Sequence, residues 1–219
     1  MSIADQNAPG PHFHPALRFM ARVVSVVFHP LFIPVYIAWF LIYVYGLFPA
    51  SVPGERALLL LRFGVMYTIF PLVTVLLLKG LGFVQSVFLR TQKERIIPYV
   101  ACGLYYFWMW YVLHNQPHTP RQLVLFSLGI FLASSLGLML NSYFKISMHA
   151  LAVGVAVAFI TILGFLSFTD FGFYISLALL AAGMVCTARL INSEHQPFDV
   201  YGGLAAGILM QVVAYWAVY

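Results

Sequence analysis

RQLVLFSLGIFLASSLGLMLN, residues 121–141, carries no charge after Arg121 and mixes aliphatic, aromatic and small side chains without alternation. As a helix these 21 residues would be about 31 Å long, the thickness of a bilayer's hydrocarbon core, which takes about 20 apolar residues to cross. Inside lipid every backbone N–H and C=O needs a partner in the chain, which leaves helices and closed barrels. A barrel strand is shorter, about 10 residues, and alternates apolar with polar, so the stretch reads as a membrane-spanning helix. Six more runs of the same kind lie at 27–49, 58–79, 97–114, 149–168, 171–188 and 200–218. The chain has 63% hydrophobic and 8% charged residues with a mean hydropathy of +0.94, more apolar surface than a soluble domain of 219 residues could hide. The expected fold is all-α, a polytopic transmembrane bundle of six or seven helices.

Residues 1–24 read as a polar tail with an amphipathic lead-in, and 25–219 as the membrane domain. The first run, after Arg18 and Arg22, is too long for a secretory signal core and reads as an uncleaved span. Between runs, Phe48-Pro-Ala-Ser-Val-Pro-Gly54, His114-Asn-Gln-Pro-His-Thr-Pro120 and Phe168-Thr-Asp-Phe-Gly172 supply turn chemistry. Counting crossings puts the N-terminus and segments 80–96, 142–148 and 189–199 on one membrane face. That face holds Arg18, Arg22, Lys79, Arg90, Lys93, Arg95, Lys145 and Arg189, against Arg56, Arg62 and Arg121 on the other. Each charge would cost about 2.5–3.5 kcal/mol at mid-membrane, so these residues mark span ends or a functional site. The bias fits either the positive-inside rule or an anion site built from several loops. Because the cations come in ones and twos between apolar runs, nucleic acid is not an expected partner. Cys102 and Cys186 sit in apolar runs and match no metal or redox spacing.

The segment Ala188-Arg-Leu-Ile-Asn-Ser-Glu-His-Gln-Pro-Phe-Asp199 reads R-x5-H-x3-D across the junction of the last two spans. It resembles the third signature of the type 2 phosphatidic acid phosphatase superfamily, SR-x5-H-x3-D. The chemistry is coherent: a neutral imidazole attacks phosphorus when one ring nitrogen holds the lone pair and a carboxylate orients the other. His195 would be the nucleophile and Asp199 its orienter, with Arg189 offering planar donors to the phosphoryl oxygens. No metal is required by such a scheme. Lys145-Ile-Ser-Met-His149 is similar to the family's P-S-G-H, with Ile146 and Met148 in place of Pro and Gly. The resemblance makes His149 the general acid and has Ser147, Lys145 and the helix-start N–H groups cradle phosphate. For the first signature, K-x6-R-P, the chain offers Arg90-Thr-Gln-Lys-Glu-Arg-Ile-Ile-Pro98, in which Lys93 and Arg95 are the expected phosphate ligands and Arg90 an alternate. Phe28-His-Pro-Leu-Phe-Ile-Pro34 is similar to the first span of bacterial members.

The resemblance implies a metal-independent, cofactor-free hydrolase acting on a lipid phosphomonoester or the terminal phosphate of a lipid diphosphate through a phosphohistidine. It further implies a bacterial inner-membrane protein with its site facing the periplasm. Two alternatives use the same residues: a lipid phosphotransferase, and a non-catalytic binding or transport protein that keeps the anion pocket. His29, His114 and His118, next to prolines, read as interfacial residues, and Lys79 as a snorkelling side chain. Tyr105-Tyr-Phe-Trp-Met-Trp-Tyr111 reads as packing and interfacial anchoring. Gly202, Gly203 and Gly207 fit close helix packing.

Overall fold

The computed structural model describes residues 13–48, 54–83, 92–167, 169–193 and 195–219, and within them all regular structure is helical. In chain order the helices are α1 (Pro15–Val27), α2 (Ile33–Val44), α3 (Glu55–Gly80), α4 (Gln92–Asn115), α5 (Arg121–Asn141), α6 (Met148–Leu166), α7 (Gly172–Ile191) and α8 (Pro197–Val218). The last six are long and apolar enough to cross a membrane, so the chain is an all-α polytopic bundle.

Local chemistry sets the helix starts. His14 accepts the Ala16 N–H ahead of Pro15, and Ser147 caps α6 by accepting the Ala150 N–H. At α8, Gln196 and Asp199 cap each other's backbone and Pro197 takes the first turn, where a missing N–H costs nothing. Within α3 one turn widens to π geometry over Val65–Ile69. Pro71 follows at once; its ring offers no N–H to the Tyr67 carbonyl and crowds it, which the wider turn accommodates.

Helices α5 and α6 form the centre, where the Phe126 and Phe159 rings lie 4.8 Å apart. α8 packs against both. A Cβ on Gly154 would strike the Leu204 carbonyl, and one on Gly207 the Leu151 carbonyl, so the α6 and α8 backbones are nearly in contact. Polar groups cross the interior in pairs: Tyr67 donates to Ser127 Oγ at 2.9 Å, and Gln211 Nε2 donates to the Leu125 carbonyl at 3.4 Å. α3 is peripheral, with most of its surface outward.

The run expected as a span over 27–49 is not one helix. α1 ends at Val27, residues 28–32 form turns, and α2 is only about 18 Å long. The stretch nevertheless runs the length of α6. His29 packs edge-on against His149 at the start of α6, with centroids 5.4 Å apart, and Tyr45 Oη meets Ser167 Oγ at 3.1 Å at its end. Eighteen residues of α6 separate those contacts, about 27 Å, so residues 29–45 cover the same depth. α1 stays at the His149 end and packs on α7. The division expected at 24/25 therefore falls inside a helix, and Ser25 is buried.

Candidate functional site

Residues 145–147, between α5 and α6, tie the three sequence segments together. The Lys145 carbonyl accepts from His195 Nδ1 at 2.9 Å, the Ile146 carbonyl accepts from Arg95 Nη1 at 3.1 Å, and the Ser147 N–H donates to the Asp199 carbonyl at 3.0 Å. Junctions remote in sequence thus share one tripeptide. Gly203 makes the fit possible, because a Cβ there would come within 2.8 Å of the Ser147 carbonyl.

Beside this knot lies a cavity of about 1050 Å³ lined by Arg95, Lys145, His149, Arg189 and His195 together with Arg22, Ser25, His29, Asn192 and Ser193. Its charged groups and imidazoles gather at one end, while Tyr99, Tyr106 and Ser134 lie among the apolar residues farther in. From Arg95 the lining follows α4 through Pro98, Tyr99 and Cys102 to Tyr106, about 16 Å along the helix. Leu72, Val75, Phe126, Ile130, Leu151 and Val155 make its inner walls apolar. A cationic mouth over an apolar shaft suits an amphiphile with an anionic head.

His195 is the best defined of the polar groups. A carbonyl can only accept, so Nδ1 carries the proton toward Lys145 and Nε2 keeps its lone pair. Burial first, then the positive charges of Arg189 and Arg95, pushes the imidazole down to about 4, against the opposing pull of the Lys145 carbonyl and Asp199. At neutral pH the ring is uncharged, with a basic Nε2, beside two guanidinium groups. His149 is held differently: its Nε2 donates to the Ser25 carbonyl at 3.0 Å, which leaves Nδ1 as the basic nitrogen.

Of the residues expected from the sequence, Arg95, Lys145, His149, Arg189 and His195 line this one cavity. Three do not. Lys93 is exposed on the first turn of α4, outside the cavity. Ser147 is fully buried and spends its hydroxyl on capping α6, so it does not face the space an anion would occupy. Asp199 lies 3.8 Å from His195 Nδ1, beyond hydrogen-bond reach, and its carboxylate accepts the Gln196 N–H at 3.1 Å. The Lys145 carbonyl orients His195, the part expected of Asp199. Arg90 lies outside the described residues.

The sequence reading missed the contribution of α1 and the turn after it. His29 was read as interfacial, yet it lines the cavity and touches His149. Arg22, in the expected lead-in, and Ser25, in the expected membrane domain ahead of the first span, carry no expected site role, yet both line the cavity. The signal available was their place on the same membrane face as the motifs. The chain matches no protein-family model, no curated protein and no solved structure.

Proposed function

We propose that this membrane protein is a lipid-phosphate phosphatase of the type 2 phosphatidic acid phosphatase superfamily, acting through a phosphohistidine. One observation carries the reading: Arg95, Lys145, His149, Arg189 and His195, from three segments far apart in sequence, converge on a single cavity whose inner walls are apolar. The substrate would place its phosphoryl group among these side chains and its tail along the shaft.

In this scheme His195 Nε2 attacks phosphorus; the P–N bond forms as the P–O bond to the lipid breaks. His149 takes up a proton at Nδ1 as the anionic phosphate, whose charge favours the cationic ring, binds beside it, and delivers that proton to the leaving oxygen. Arg95, Lys145 and Arg189 take up the charge on the equatorial oxygens. Water then attacks phosphorus, His149 accepts the proton, the P–N bond breaks and inorganic phosphate leaves with His195 neutral again. The Lys145 carbonyl keeps Nδ1–H in place and stabilises the cationic ring of the intermediate. The periplasmic side of a bacterial inner membrane is the proposed location of the mouth.

The test is phosphate release by purified protein from a panel of lipid mono- and diphosphates, with His195→Ala as control. Release by the wild type alone supports the reading. A second reading, an anion-binding or transport protein without turnover, draws on the capping duties of Ser147 and Asp199, which tie up two groups that catalysis was expected to use. Saturable binding of a lipid phosphate with no release across the panel would favour it. A phosphotransferase would release little inorganic phosphate and, once an acceptor alcohol is added, would pass the phosphoryl group to it, read as formation of the phosphorylated acceptor.

A further inference from the structure

α1 has two faces with different surroundings. At about 100° per residue, Phe19, Met20, Val23, Val26 and Val27 fall on one side, and each is 45–67% exposed. Ala21 and Ser25 point the other way and are buried. Five large apolar side chains on one stripe are not a water-facing surface. The six membrane-length helices put a bilayer around the bundle, and α1 docks at the end that carries His149 and Arg189, the level of the head groups. A helix at that level with Arg18 and Arg22 flanking its polar side has the build of an interfacial helix, its apolar face about 5–10 Å into the acyl boundary.

Ser25 joins this helix to the cavity. Its hydroxyl donates to the Ala21 carbonyl at 2.9 Å, so both lone pairs remain to accept. They take Arg189 Nη1 at 3.5 Å and Asn192 Nδ2 at 3.3 Å, while the Ser25 carbonyl accepts from His149 Nε2 at 3.0 Å. One residue of α1 thus contacts a guanidinium and an imidazole of the site and fixes which nitrogen of His149 faces the cavity. Arg22 and Val26, one turn before and one residue after, line the cavity directly.

We propose that α1 is an interfacial helix held by the lipid head-group layer, and that through Ser25 it positions His149 and Arg189 for their anion. The positioning half rests on reading the cavity as a phosphate site; the membrane half does not. Ser25 is a positioning residue, and the partner of the apolar face is the lipid interface.

The experiment has two arms on the full chain in phosphatidylcholine–phosphatidylglycerol vesicles. In the first, an environment-sensitive fluorophore is attached at Phe19→Cys or at Arg18→Cys, with wild type setting the background from Cys102 and Cys186, and is quenched by lipids brominated near the head group. Position 19 should be quenched about three-fold more than position 18, as one-sided insertion requires; equal quenching overturns the interfacial placement. In the second arm, inorganic phosphate binding is measured. Ser25→Ala should bind about five-fold more weakly, the factor one hydrogen bond supplies, with Ser25→Thr restoring the affinity. Phe19→Ser combined with Val23→Ser should weaken binding in vesicles to a similar degree. Unchanged affinity in Ser25→Ala, which keeps the carbonyl that His149 uses, overturns the positioning of Arg189 through the hydroxyl, and unchanged affinity in the double variant overturns the coupling of α1, and with it of His149, to lipid. A wild type that binds no phosphate would sink the proposed function and the part of Ser25 together, while the quenching pattern still decides whether α1 lies in the interface.

Discussion

His195 donates its Nδ1 proton to the Lys145 carbonyl, and Asp199 stays 3.8 Å away as part of a helix cap. If Nε2 is the nucleophile, His195→Ala removes it outright and phosphate release should fall by at least about 10³-fold, measured as kcat. Asp199→Asn should act mostly on stability. It removes a negative charge from the first turn of α8 at a cost of about 0.3–1 kcal/mol, read as a lower melting temperature, while kcat changes less than about ten-fold because the carbonyl still fixes the tautomer. The ionisation of His195 adds a pH prediction. With its value lowered to about 4 from an ordinary 6.5, the ring is neutral above that value and becomes protonated, hence non-nucleophilic, below it. The acid limb of kcat/KM should therefore lie nearer pH 4 than 6.5. Stability should decline with it: between 6.5 and 4 the unfolded chain takes the proton first, so folding weakens as the pH falls through that window. The motif spacing made Arg189 and His195 legible, and crossing parity brought Arg95, Lys145 and His149 to the same face. Ser25 and His29 were not legible, since their role depends on where α1 docks and no local spacing encodes that.

The contact between α6 and α8 rests on glycines whose backbones almost touch. Alanine is the better helix former by about 1 kcal/mol, so Gly207→Ala would stabilise an isolated helix. Here the new Cβ meets the Leu151 carbonyl, a backbone atom that cannot swing aside. The variant should lose about 1–3 kcal/mol, the usual range for overpacking, read by thermal or denaturant unfolding in detergent. Gly183→Ala on α7 is the paired control: nothing lies within 4 Å of its Cβ, and it should be neutral or slightly stabilising. Long spans were readable from the sequence because a continuous apolar run of bilayer length has few other solutions. The first crossing was readable only as a length. That it consists of a turn and a short α2, with α1 left at the cavity end, follows from His29-Pro30 and from side-chain contacts with both ends of α6, and apolarity alone does not register these.

Among the described residues, helices α1 to α7 and the turn that carries His195 line one deep space with a cationic end. The charge bias across the membrane is a poor guide to orientation here, because Arg95, Lys145 and Arg189 sit at the cavity as well as at span ends. Reporter fusions at Tyr219 give the independent answer. α8 starts at the cavity end and runs away from it, so the C-terminus lies on the opposite face, and a periplasmic mouth predicts a cytoplasmic signal. The shape of the cavity also bears on how the protein behaves on the bench. A pocket that is cationic at its rim and mostly apolar along its length, on the order of 10³ Å³, suits surfactants as well as it suits the proposed lipid substrate. Protein extracted in an anionic or phosphocholine detergent should look inactive for reasons unrelated to folding, and gentle extraction into sugar-headed detergents should bring out a co-purifying acidic lipid, visible by native mass spectrometry as a discrete added mass.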